Sequence, residues 1–150
     1  MARLTKSMLT VQDLMASDWV RITIEGHRYP AVVHTIKLNT EEIEVAYLAA
    51  PGDWEDGYGY DDFEPIPLTP EILELNGFKS TAGRTVWEME IEKKYINIWG
   101  THALSFSFNV PYLYGYKWIM QDVPINYVHE LQHLLRLCGL TELANDFKVE

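Results

Sequence analysis

The sequence predicts an α+β chain of mainly antiparallel β-structure, and three observations carry that prediction. Short alternating runs rich in β-branched and aromatic residues fall in two clusters, roughly residues 18–48 and 85–120, with gaps too short for crossover helices. Between them Thr69-Pro70-Glu71 has the form of a helix start, and after Pro124 the apolar residues change to helical spacing.

Residues 10–17 (TVQDLMAS) read as a turn or short helical segment leading into a first strand, Asp18 to Ile24. Glu25-Gly26-His27 is a tight turn, and Tyr29 to Lys37 and Glu42 to Leu48 follow as strands two and three. This meander, opening on D-W-V, resembles the start of a small SH3-like barrel, a likeness of fold that says nothing of function. Residues 51–64 (PGDWEDGYGYDDFE) combine six carboxylates, four aromatic rings and three glycines, which predicts a long loop with Tyr58 to Asp61 as a short edge strand. The calcium-loop pattern is not met there. Trp54, Tyr58, Tyr60, Asp61 and Asp62 are instead candidate partner-binding residues, because interface centres favour Tyr and Trp.

Thr69 is the predicted N-cap and Pro70 the first helical residue of a short helix that Gly77 ends, with Ile72, Leu73 and Leu75 available for burial. Thr85–Glu92, Tyr95–Gly100 and Ala103–Val110 then form a second antiparallel meander, with Tyr116–Met120 as a further strand and Phe147–Val149 as an edge strand. Tyr112, Tyr114, Tyr116 and Trp118 recur at period two, which on an extended segment places them on one face. They are either a core-facing strand or an aromatic platform for a peptide, glycan or partner, and their exposure decides between the two. The expected organisation is one compact domain of 150 residues, with possible halves 10–64 and 79–150 joined by the helix segment 65–78.

The formal charge of −10, from 22 acidic and 12 basic residues, disfavours direct nucleic-acid binding and leaves a basic protein partner or solubility as its meaning. No apolar run is long enough for a membrane span and no signal-peptide pattern opens the chain, so a soluble cytoplasmic protein is expected. The single Cys138 has no partner for an internal disulfide and falls on an apolar stripe, as a buried small hydrophobe would. His27, His34 and His102 stand in predicted turns or strands.

His129-Glu130-Leu131-Gln132-His133 matches H-E-x-x-H, the zinc motif in which two histidines bind metal and the glutamate activates water. Taking residues 124–138 as a helix, Tyr127, Val128, Leu131, Leu134, Leu135 and Cys138 gather on one stripe, and His129, Gln132, His133 and Arg136 fall opposite it, toward solvent. The third ligand of a catalytic zinc is not evident: Gly139 stands where a zinc peptidase has its third histidine, and only Glu142, Asp146 and Glu150 follow, in a tail too short for a second buried helix. No cofactor is therefore expected, with zinc on His129 and His133 and Glu130 as catalytic base as the alternative.

Glu64-Pro65-Ile66-Pro67-Leu68-Thr69, with Glu71, Leu73 and Gly77-Phe78, and then Tyr127-Val128-His129-Glu130-Leu131-Gln132, together resemble a family of short uncharacterised proteins of gut Bacteroidota and their phages and mobile elements. The resemblance covers roughly residues 15–139 and implies a D-W-V strand, a short helix ending in G-F, a β-meander and a terminal Y-V-H-E-L-Q helix. It brings no activity with it. Relatives carry asparagine in place of His133, and the tail from Leu137 to Leu143 departs from their shorter L-T-G-x-E-L ending. The favoured reading is a non-catalytic accessory protein of a phage or mobile element that binds an unknown protein; the alternatives are a zinc-dependent hydrolase and an acidic mimic of nucleic acid.

Overall fold

The computed structural model describes residues 14–24, 26–37, 42–47, 54–58, 63–81, 83, 85–100 and 103–150, and of residues 24, 34–37, 42–47 and 54–58 the backbone path alone. The chain divides into two compact units, Met1–Ile66 and Pro67–Glu150. The boundary lies inside the P-I-P-L-T string, and the helix segment expected to join two halves belongs to the second unit.

The first unit is an antiparallel sheet of β1 (Trp19–Ile24), β2 (His27–Lys37), β3 (Glu42–Tyr47), β4 (Trp54–Tyr58) and β5 (Phe63–Glu64), in the order β4-β3-β2-β1-β5. The sheet is open, with β4 and β5 as its edges. β4 begins four residues before the strand expected at Tyr58–Asp61 and pairs with β3 from Ala46↔Trp54 to Ile43↔Tyr58. Trp19, Val20, Ile22, Ala31, Val33, Phe63 and Ile66 are buried and form the core. Asp18 is buried too, and its role is local: Oδ2 accepts from Met15 N at 2.7 Å, while its carbonyl accepts from Val33 N at 2.9 Å. The aspartate of D-W-V thus closes the turn that feeds β1, its carboxylate reaching back three residues to the Met15 N–H. Arg28 on β2 forms an ion pair with Glu64 on β5, across β1.

The second unit starts with α1 (Pro70–Leu75), whose Thr69 hydroxyl accepts from Ile72 N at 3.2 Å and whose end is Asn76 followed by Gly77 at φ 92°. That left-handed residue is where glycine costs least. Ile72 and Leu73 are buried, but Leu75 is exposed. β6 (Lys79–Thr81), β7 (Val86–Ile91), β8 (Lys94–Trp99), β9 (Leu104–Tyr112) and β10 (Gly115–Ile125) then make an antiparallel sheet in the order β10-β9-β8-β7-β6. β6 was not expected, being too short to alternate visibly. β10 runs well past Met120 because register shifts between Trp118 and Met120 and between Met120 and Val123 let it bend and continue. Asp122 sits in the second bulge at φ 55°, its N–H bonded to Ser107 Oγ at 3.1 Å. Pro124, expected in the first turn of the helix, lies in this edge strand instead, where its missing N–H is tolerated.

One face of this sheet is apolar. Trp87, Ile98 and Phe106 are register partners, as are Met89, Ile96 and Phe108, and all but Met89 are buried. α2 (Val128–Leu137) and α3 (Thr141–Asn145) complete the unit, adding buried Val128, Leu131, Leu135, Ala144 and, beyond α3, Phe147. The tail expected to be too short therefore does form a second, single-turn helix with a buried side. Residues 147–149 are not a strand: Asn76 pairs with Lys148 in both directions, donating to its carbonyl at 2.7 Å and accepting from its N–H at 2.8 Å.

Candidate functional site

The H-E-x-x-H string occupies the first turns of α2, and the structure assigns its residues differently from the helix phase expected of them. His129 is 5% exposed and Gln132 fully buried, while Leu134 and Cys138, placed on the expected stripe, are half-buried and Leu137 is exposed. The buried arc is rotated by roughly 80° from the one read off the sequence. The cause is α3, which covers that flank: Gln132 Nε2 donates to the Ala144 carbonyl at 2.9 Å, and Arg136 reaches Asn145 Oδ1 at 3.3 Å. The expectation of a solvated Gln132 is thus corrected by a helix the sequence did not announce, and His129, also expected in solvent, is buried in the first turn of α2.

Glu130 is the N3 residue of α2, and its Oε1 accepts from Asn126 N at 2.8 Å and Tyr127 N at 3.0 Å. A carboxylate in this position satisfies donors at the helix start and faces the positive end of the helix dipole. His129 stacks on Tyr127 at 6.0 Å with an interplanar angle of 11°, and meets His133 edge to face at 5.6 Å. Among the described residues, no group of three or more His, Cys, Asp and Glu side chains is gathered as a metal centre would require. Cys138, at the C-cap, is half-buried, and burial pushes its thiol up to about 11 against a partial opposing pull from Lys94.

The period-two aromatics do not share one strand. Leu113 and Tyr114 are the turn of the β9–β10 hairpin, so Tyr112 ends β9 while Tyr116 and Trp118 lie on β10. All four are exposed, Tyr114 fully, and with them Leu113 (79%) and Ile119 (51%). The core-facing alternative is excluded by that exposure. Lys117 Nζ lies 5.4 Å from the centre of the Tyr112 ring.

The second face of the β6–β10 sheet is polar and aromatic. Two rows of register partners cross it: Lys79, Glu88, Asn97 and Ser107 from β6 to β9, and Glu90, Tyr95, Asn109 and Trp118 from β7 to β10. A cleft of about 500 Å³ lies here, with Tyr95, Asn109 and Tyr116 in its wall. The Tyr116 and Tyr95 hydroxyls are hydrogen-bonded to each other at 3.2 Å, their rings 4.9 Å apart and nearly perpendicular. Hydrogen bonding to Tyr116, loss of water and the adjacent Glu90 carboxylate, to which Tyr95 is also bonded, push the Tyr95 phenol up to about 12. Nothing in the sequence announced this cleft beyond alternation, because it is assembled from strands distant in sequence.

Of the candidate contact residues in the acidic segment, Trp54 and Tyr58 belong to β4, and Tyr60, Asp61 and Asp62 lie outside the described residues, as does His102. No described helix is long and apolar enough to cross a membrane. No protein-family model, curated protein or solved structure matches the chain.

Proposed function

We propose that this protein is a non-catalytic accessory protein of a phage or mobile element that acts by binding another protein, with the β9–β10 hairpin as its principal contact surface. The observation that carries the reading is the exposed run of Tyr112, Leu113, Tyr114, Tyr116, Trp118 and Ile119. Contiguous apolar and aromatic exposure is costly for solubility and marks interaction sites, whose centres are rich in Tyr and Trp. The capping bonds of Glu130 support the non-catalytic part, since they explain the glutamate of H-E-x-x-H without chemistry. The phage or mobile-element setting rests on the resemblance of the P-I-P-L-T and Y-V-H-E-L-Q strings.

The first unit fits an SH3-like reading in its strand order, with β5 returning beside β1 after a β1-to-β4 meander. Under that reading the acidic aromatic segment around Trp54, Tyr58, Tyr60, Asp61 and Asp62 is a second, smaller contact. The test is affinity capture from a host lysate by the wild-type chain and by a Leu113→Ser, Tyr114→Ser double variant of equal thermal stability. A partner held by the wild type and lost by the variant supports the reading. Identical captured sets overturn the hairpin as the contact.

A further inference from the structure

The polar face of the β6–β10 sheet holds a feature that the hairpin does not explain. Asn109 is only 8% exposed, yet its Oδ1, shielded from solvent, accepts no hydrogen bond from a described residue. A buried amide oxygen left without a donor costs on the order of 1–3 kcal/mol, so such atoms call for an explanation. Asn109 stands in the row Glu90, Tyr95, Asn109, Trp118, flanked by a phenol on one side and an indole on the other, with a carboxylate one strand further.

We propose that this cleft binds a guanidinium group, the side chain of an arginine on the protein partner, an inference that rests on the protein-binding reading above. Acceptor-bearing side chains line the cleft, Glu88, Glu90, Asn97, Asn109, Tyr95 and Tyr116, beside the apolar Met89 and Ile96. Lys79 is outnumbered in the lining by Glu88 and Glu90, so the cleft carries a net negative charge. A guanidinium brings five N–H donors in a planar fork and a flat cationic surface that stacks on aromatic rings, whereas an ammonium brings a compact, strongly hydrated charge. The nearly perpendicular Tyr95 and Tyr116 rings make a corner rather than a flat platform, which suits a small planar cation better than a sugar face. Tyr116 is exposed and lines the same cleft as Asn109. The chain's formal charge of −10 favours a basic partner at long range.

The experiment is an amide-resonance titration of the full ¹⁵N-labelled chain with N-acetyl-arginine methylamide, beside its citrulline and lysine counterparts and maltotriose. Citrulline keeps the shape of arginine and removes the charge. The expected result is shifts confined to β7–β10, saturation by the arginine compound near the millimolar range, and affinity about tenfold or more weaker for citrulline. Glu90 is exposed, so Glu90→Gln retains the fold, and it should weaken arginine binding about fivefold or more. Equal binding of arginine and citrulline, no effect of Glu90→Gln, binding of maltotriose alone, or no binding at all each overturns the guanidinium site. The Leu113→Ser, Tyr114→Ser variant should bind arginine like the wild type. Arginine binding lost while the hairpin still captures a partner thus counts against the cleft alone, and the reverse counts against the hairpin alone.

Discussion

The start of α2 and the β9–β10 hairpin both carry residue patterns associated with function, and the fold treats them in opposite ways. In α2 the polar groups are absorbed into architecture: Glu130 holds two backbone N–H groups, Gln132 holds the carbonyl of Ala144, and His129 is buried against Tyr127. In the hairpin the apolar groups are left outside, with Leu113 and Tyr114 at the turn. The neighbouring β7–β8 hairpin shows that the sheet does not require such a tip. Its turn residues are Glu92 and Lys93, both at positive φ (51° and 64°), a two-residue form that favours Asn-Gly. There charged residues are kept at a conformational cost, while in β9–β10 apolar residues are kept at a cost in solubility. Buried polar groups with partners explain a fold; exposed apolar groups without a packing role point beyond it.

The far end of α2 carries the largest expected effect. With its thiol pushed up to about 11, Cys138 carries about a hundredfold less thiolate at neutral pH than an exposed cysteine. Alkylation by iodoacetamide, followed by mass spectrometry, should be slow at pH 7 and rise about tenfold per pH unit toward that value. A rate equal to that of a small-molecule thiol would mean that this end of the helix is open, contrary to its half-buried setting.

The next effect is on stability. Gln132→Ala removes a fully buried side chain and the side-chain hydrogen bond that ties α2 to the Ala144 carbonyl, which should cost about 2–3 kcal/mol in denaturant unfolding. A loss below about 0.5 kcal/mol would return Gln132 to the solvated face. Glu130→Ala should cost about 1 kcal/mol through the lost cap. The same variant separates the two readings of the motif: calorimetric zinc titration of wild type, Glu130→Ala and His133→Asn should give weak and similar binding. Tight stoichiometric zinc that His133→Asn abolishes would reinstate the hydrolase reading.

What the sequence made legible follows from how local each signal is. The Thr69-Pro70 start and Gly77 stop of α1, and the alternation of β7, β8 and β9, depend on neighbouring residues only, and they appear nearly where expected. The errors arise where the outcome depends on something distant. The phase of α2 turned because α3 covers its flank, and Pro124 reads as a helix start until the two bulges of β10 bring it into an edge strand. The aromatic stripe was visible as a pattern, but a two-residue turn divides it. The cleft was invisible, since Glu90, Tyr95, Asn109 and Trp118 become neighbours only through strand register.

The smallest expected effect is the most diagnostic. Leu113→Ser with Tyr114→Ser removes a 79% exposed leucine and a fully exposed tyrosine from a turn in which neither is packed. Stability should change by less than about 0.5 kcal/mol, as for surface sites away from caps, cores and networks. Apolar tips that stabilise a hairpin do so by folding back onto the sheet, and that burial would appear as a loss of about 1 kcal/mol or more on truncation. Denaturant unfolding of the double variant therefore distinguishes a tip that serves the fold from one held out for a partner. A cost near zero, alongside the cost of Gln132→Ala, would mean that the hairpin's apolar surface is maintained by something other than the stability of the protein that carries it.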